Sequence, residues 1–328
     1  MDNWPVLNFM HRLQNPVPQF VLGCLPAIAI IGASPEKGFK KKFLWILRCL
    51  ACPFTGLFYT LIIENKEESI FAYWLSSEKF ITDNDGKVQN IPFGYHSKAI
   101  SNLTKMQKEC IKECVAEASI LERVSPLVSA YYIIVGLLSG IARIFSPGAC
   151  TDWPYISVVL AWTFVVIYKR SLCGKIIAKS PEDMLREYIN NKKLILDERV
   201  YVKDLNKKDL KRKRTLVIFI GLVSIIFPWL SVLMAYNTPP VGFFCRSRYL
   251  TVICSIWSFN SFIALICHIK GEKKVDNNEN IIHKMYCFWG IIMGCLLFFL
   301  ALLCNDRTWW EKFFGEMCKS SDCNDVTS

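Results

Sequence analysis

The run TLVIFIGLVSIIFPWLSVLMAYNTPPVGFFC, Thr215–Cys245, decides the fold. It places 31 residues without a single Asp, Glu, Lys or Arg between Arg214 and Arg246. About 20 apolar residues in a helix cross about 30 Å of hydrocarbon, and only a helix or a closed barrel satisfies its own backbone there. The run is therefore a span followed by an outer turn. Pro239 and Pro240 end the helix, and Gly242 permits a tight return.

Similar runs flank it on both sides. Between Arg248 and Lys270, and between Lys284 and Asp306, lie 21 uncharged residues each. Upstream, 19 lie between Arg123 and Arg143, and 16 between Asp152 and Lys169. These five are read as transmembrane helices. Leu13–Pro35 is a sixth, uncharged for 23 residues, with Pro26 kinking rather than forbidding it. Phe43–Ile63 carries Arg48 and a central Cys52-Pro53. It either spans, with Arg48 snorkelling, or dips in and returns.

Composition agrees. Of 328 residues, 52% are hydrophobic and only 20% charged, against about 25% charged in a soluble domain. That balance excludes disordered, collagen-like and coiled-coil chains. The net charge is +11, from 39 Lys+Arg against 28 Asp+Glu, and its clustering gives orientation. The connector from Lys169 to Arg214 holds 15 Lys/Arg against 7 acidic residues, and Lys270 to Lys284 holds four Lys. Arg143 to Asp152 holds one Lys/Arg, and Asn237 to Arg248 holds two. The first pair is read as cytoplasmic and the second as external. Lys37, Lys40, Lys41 and Lys42 also favour the cytoplasm. An even number of crossings must then separate them from Lys169, and the hairpin 124–168 supplies two.

The expected architecture is an all-α polytopic bundle, a single membrane domain over residues 1–328. It has six crossings plus one re-entrant or interfacial segment at Phe43–Ile63, with both termini outside. The alternative has seven crossings and an internal N-terminus. Regions 64–123 and 169–214 are cytoplasmic loops carrying short amphipathic helices. In the first, apolar residues from Ile100 to Leu121 recur with helical period, and the helix runs toward the membrane until Ser125-Pro126 interrupts it. In the second, Ser180-Pro181-Glu182-Asp183 reads as a helix start. The sequon Asn102-Leu103-Thr104 falls on the cytoplasmic side, where it takes no glycan.

Fifteen cysteines are many for this length. In this layout Cys150, Cys245, Cys318 and Cys323 share the outer side, and an even set on an oxidising face suggests two disulfides with three alternative pairings. One candidate tie is Cys150–Cys245. The other is Cys318–Cys323 or a link from the tail to the outer loops. The plainer reading makes all fifteen small apolar fillers.

Chemistry-bearing patterns are few. The best spans hold no Asp, Glu, Lys or Arg, which disfavours proton-coupled transport. Ser224, Asn260 and Ser261 are neutral groups suited to lining a passive path. His11, His96, His268 and His283 are scattered, so no metal site is expected. No phosphate-cradling glycine loop or nucleophile elbow occurs, so no cofactor and no catalytic residue is expected. Lys207, Lys208, Lys211, Arg212, Lys213 and Arg214 are candidate contacts for anionic lipid head groups, or simply orient the chain. Without an aromatic platform or motif beside them, they do not suggest nucleic acid. Trp309-Trp310 and Phe313-Phe314 suit an aromatic belt at the outer interface.

The outer turn Thr238-Pro239-Pro240-Val241-Gly242-Phe243-Phe244-Cys245-Arg246-Ser247 resembles a Thr-Pro-Pro-Val-Gly-x-x-Cys-Arg-Ser loop in uncharacterised multi-pass membrane proteins of fungi. The resemblance covers these ten residues. It implies a multi-pass fold and brings no catalytic role. Arg246 is expected to pair with Asp152 across the outer face. The expected function is a non-enzymatic scaffold or receptor-like interaction protein in the plasma membrane or secretory endomembranes. Its cytoplasmic loops would dock protein partners or anionic lipids. The alternatives are a passive channel or carrier for a neutral solute past Ser224 and Asn260, and a membrane-embedded enzyme.

Overall fold

A computed structural model describes residues 39–63, 98–100, 109, 112–117, 119–145, 155–173, 175–177, 184, 202–204, 207–238, 241–270, 279–303, 310 and 313–315. The described chain is mostly helical. In order it forms α1 (Phe39–Ala51), α2 (Pro53–Phe58) with a π-helical turn Tyr59–Ile63, and the strands β1 (Lys98–Ile100) and β2 (Val115–Glu117). Next come α3 (Ile120–Ile144), α4 (Tyr155–Val159), a 3-10 turn Ala161–Thr163, α5 (Phe164–Cys173), β3 (Lys175–Ile177) and β4 (Val202–Asp204). The last four are α6 (Lys207–Ile226), α7 (Trp229–Asn237), α8 (Cys245–Lys270) and α9 (Glu279–Leu303).

Three stretches are long and apolar enough to cross a membrane: Arg214–Asn237, Cys245–His268 and Lys284–Leu303. They are apolar on every face. Phe219, Phe259 and Phe288 point outward at 61%, 58% and 60% exposure, while Leu250, Trp257 and Met293 are sealed inside. A helix hydrophobic all round belongs in a bilayer, where its outer residues meet lipid. The chain is a membrane protein. Helix α3 contributes a shorter apolar stretch, Pro126–Ala142, and α4–α5 is divided by its 3-10 turn. The N-terminal run Leu13–Pro35 lies outside the described residues.

The segment Phe43–Ile63 does not run straight through. Its two helices meet at Cys52-Pro53 with a bend of 114°. At 1.5 Å per residue, 13-residue α1 is about 20 Å long, short of the hydrocarbon thickness. Past the bend the chain folds back on itself, and Trp45 meets Tyr59 edge-to-face at 5.0 Å. Helix α1 runs parallel to α9: Cys287 Sγ donates to Leu44 O at 3.8 Å, Leu47 lies at Gly290, and Leu50 lies at Gly294. The return arm leads toward the Lys270 end of α8, where the Phe58 and His268 rings are 4.4 Å apart. Lys169 on α5 donates to Thr60 O near its end.

The two loop regions are joined rather than separate. β1 pairs antiparallel with β4, and β2 with β3, so residues 98–100 and 115–117 are hydrogen-bonded to 202–204 and 175–177. The helical period expected up to Leu121 stops short. Residues 112–114 are helical, but 115–117 are extended, because their backbone groups are taken by Lys175–Ile177. Pro126 does not interrupt the chain where expected. It lies inside α3, costing one backbone hydrogen bond that a membrane helix tolerates.

Gly290 lets the backbones of α1 and α9 come into contact. A methyl group there would sit 2.2 Å from Leu47 O and 2.7 Å from its carbon, whereas Gly294 faces only the Leu50 side chain at 3.7 Å. Gly290 and Gly294 form a G-x-x-x-G pair, the spacing that lets membrane helices approach. Gly290→Ala should therefore destabilise the purified protein by about 1–3 kcal/mol, the usual cost of overpacking, while Gly294→Ala should change it little. Thermal unfolding of both variants in detergent measures the contrast.

Candidate functional site

The polar residues of the membrane interior converge on the middle of α8. Two proline breaks flank it, and each break frees backbone carbonyls that a bilayer cannot hydrate. At the Cys52-Pro53 break, Trp257 Nε1 donates to Leu50 O at 2.6 Å and Asn260 Nδ2 donates to Ala51 O at 3.0 Å. Asn260 O in turn accepts from Cys52 Sγ at 3.6 Å and from the Tyr286 hydroxyl at 3.4 Å. At Pro228, between α6 and α7, Cys254 Sγ donates to Pro228 O at 3.3 Å, and Ser231 Oγ donates to the same oxygen at 2.6 Å. Ser258 Oγ accepts from Trp229 Nε1 at 2.8 Å and donates to Ile225 O at 3.2 Å.

Helical geometry explains the division of labour. Residues 254, 257, 258 and 261 fall three or four apart and share one side of α8, with 260 at its edge. Cys254 and Ser258 turn to the Pro228 break, Trp257 and Asn260 to the Cys52 break. The 3-10 turn of Ala161–Thr163 closes the third side, with Trp162 edge-on to Trp257 at 6.0 Å. All four of Trp162, Trp257, Asn260 and Ser261 are buried.

Of the neutral groups expected to line a path, Ser224 is buried and donates to Gly221 O of its own helix at 2.8 Å. Asn260 has its amide spent on Ala51. Its Oδ1, together with Ser261 Oγ and Thr55 Oγ1, is shielded and takes no hydrogen bond among the described residues. Nothing in the sequence marked Trp257, Cys254 or Ser258 as clamping groups. The available signal was two prolines within apolar runs, which demand donors from somewhere.

The turn between α7 and α8 is ordered by its own residues. Gly242 has φ +146°, a conformation that favours glycine, and its N–H donates to Tyr236 O at 2.9 Å. Ser247 Oγ donates to Phe244 O at 3.0 Å, and Arg248 donates to Phe243 O at 3.1 Å. Arg246 Nη1 donates to the Tyr155 hydroxyl at 3.0 Å, tying this turn to the start of α4. Its expected partner Asp152 lies outside the described residues, as do Pro239 and Pro240. Trp310 is not an interfacial anchor. It is 3% exposed, stacked on Phe314 at 5.9 Å and edge-on to Tyr249 of α8 at 5.8 Å, while Phe313 meets Phe299 of α9 at 4.8 Å.

Among the described cysteines, Cys49, Cys52, Cys114, Cys254, Cys267, Cys287 and Cys295 form no disulfide, and the four buried ones, Cys49, Cys52, Cys114 and Cys254, suit the filler reading. Cys245 is buried at the start of α8, while Cys150, Cys318 and Cys323 lie outside the described residues. No group of three His, Cys, Asp or Glu side chains able to hold a metal occurs among the described residues. Lys207, Lys208 and Lys213 lie on α6, and Lys211, Arg212 and Arg214 on the same helix are exposed.

Fold and site together define a helical membrane protein in which one span serves as the hydrogen-bonding partner of two broken ones. No known family model, curated protein or solved structure matches this chain.

The clamp has a measurable weight. Trp257→Phe and Asn260→Leu each orphan one buried carbonyl, for an expected loss of about 1–3 kcal/mol, read by thermal unfolding in detergent. Thr251→Val is the control, removing a hydroxyl that bonds only Ser247 O in its own helix, and should change stability by less than about 0.5 kcal/mol. Maleimide labelling of buried Cys52 should rise in Asn260→Leu and stay low in Thr251→Val.

Proposed function

We propose that this chain is a non-enzymatic membrane scaffold that conducts no solute. The observation that carries this is the use of mid-membrane polar groups: Trp257, Asn260, Cys254 and Ser258 are engaged with backbone of the two breaks. A passive path needs such groups turned toward the solute. Here they hold the bundle shut.

The proposed layout has six crossings, with Phe39–Ile63 re-entrant from the cytoplasmic side. Three features support it. The bend of 114° turns the chain back, Leu50 and Ala51 meet residues 257 and 260 near the middle of the Cys245–His268 span, and Thr60 returns to Lys169. Strands hydrogen-bonded to each other occupy one side of a bilayer, so the two ribbons support a layout with 98–100 on the same side as 202–204 and 115–117 on the same side as 175–177. The basic connectors favour the cytoplasm for that side. There the joined loops present one composite surface to protein partners. The plasma membrane or the secretory endomembranes is the proposed location, and the resemblance of the outer turn to the fungal loop is kept as part of this proposal.

For the outer disulfide we propose Cys150–Cys245. Cys245 is set apart from the seven thiols that bridge to nothing, and Arg246 beside it reaches Tyr155, five residues beyond Cys150, which supports the pairing. A non-reducing digest of the purified chain should contain the two cysteines in one cross-linked peptide. Separate alkylated peptides would refute the pairing.

A second reading, a carrier for a small neutral solute, is favoured by the three shielded oxygens of Thr55, Asn260 and Ser261 beside the Cys52 break. Osmotic shrink–swell of liposomes containing the purified chain, challenged with urea, glycerol and glucose, decides between the two. The scaffold predicts re-swelling no faster than in protein-free liposomes. Accelerated re-swelling with any of the three solutes overturns it.

A further inference from the structure

Helix α6 passes from a basic to an apolar surface within three turns. Lys211, Arg212, Thr215, Leu216 and Phe219 line a single open groove of about 620 Å³. Their spacing of four and three residues along the helix makes them one stripe, about 12 Å long at 1.5 Å per residue. Lys211 and Arg212 are exposed at one end, and no carboxylate is among the described residues that line the groove. Thr215 Oγ1 donates to Lys211 O at 3.0 Å, so the hydroxyl proton is already used. At the other end Leu216 and Phe219 are 45% and 61% exposed. The apolar stretch begins at Arg214, so the change from charged to apolar side chains falls inside the groove.

That arrangement discriminates among ligands. A free inorganic anion would neutralise the cations and leave Leu216 and Phe219 uncovered. A zwitterionic lipid would cover the apolar end and leave the positive charge uncompensated. A molecule with a phosphate at one end and an acyl chain at the other answers both. We propose that this groove binds one anionic phospholipid, its phosphate held by Lys211 and Arg212 and a chain lying along Leu216 and Phe219. The site is independent of whether the bundle passes a solute, so the flux result leaves it unaffected.

The test uses the full chain in detergent, titrated with dioctanoyl phosphatidic acid, dioctanoyl phosphatidylcholine or inorganic phosphate, with binding read by native mass spectrometry and by the shift in unfolding temperature. Two cations at about 1 kcal/mol each predict a preference of about thirtyfold for phosphatidic acid over phosphatidylcholine. The preference should vanish in K211Q/R212Q and survive in K211R/R212K. Phe219→Ala should weaken both lipids alike and leave the ratio intact. Equal binding of the two lipids by the unaltered chain overturns the proposal without recourse to any variant. So does a preference undiminished in K211Q/R212Q, or competition by inorganic phosphate at the same concentration as phosphatidic acid.

Discussion

A backbone carbonyl freed by proline inside an apolar bundle has no water to turn to, and everything central in this protein follows from where its donors come from. Each unsatisfied group in hydrocarbon costs several kcal/mol. Two breaks, at Cys52-Pro53 and at Pro228, would therefore be prohibitive alone. Helix α8 removes the difficulty because Trp257, Ser258 and Asn260 present an indole, a hydroxyl and an amide to Leu50 O, Ile225 O and Ala51 O within about one turn. Cys254 adds a contact to Pro228 O, which the Ser231 N–H also reaches. The breaks and the clamp are thus one feature. Without the breaks, α8 would carry buried polar groups lacking partners; without α8, the breaks would not persist.

The clamp also orders the rest of the bundle. Because α8 reaches both breaks, it holds α1–α2 on one side and α6–α7 on the other. Trp162 of the 3-10 turn then seats against Trp257. Helix α1 is pinned from its other side by α9, where Gly290 allows the two backbones to touch. A short, sharply bent helix pair is therefore gripped along both flanks. Its return arm is received by the Phe58–His268 contact and by Lys169. Irregular backbone at membrane depth is tolerated where protein surrounds it, and here protein does.

The same economy appears in the loop regions. Two regions that read as independent are tied by short antiparallel ribbons, β1 with β4 and β2 with β3. Each ribbon has only three residues per strand, too little to stand alone. They persist because α3 and α5 bring 115–117 and 175–177 out of the bundle side by side, so the loop entropy is already reduced by helix packing.

Hydropathy in the sequence determined what is local. The long apolar stretches at 214–237, 245–268 and 284–303, the break at Cys52-Pro53 and the turn at Gly242 are all legible as runs, prolines and a glycine. Local steric and solvation rules suffice for those. Long-range pairing was decided only by the tertiary structure: that Trp257 serves Leu50, 207 residues away, that residue 99 pairs with 203, and that Trp310 is core rather than belt. A donor and an acceptor carry no mark of their partner in composition or period. Their meeting is fixed by helix packing, and packing is a property of the whole chain.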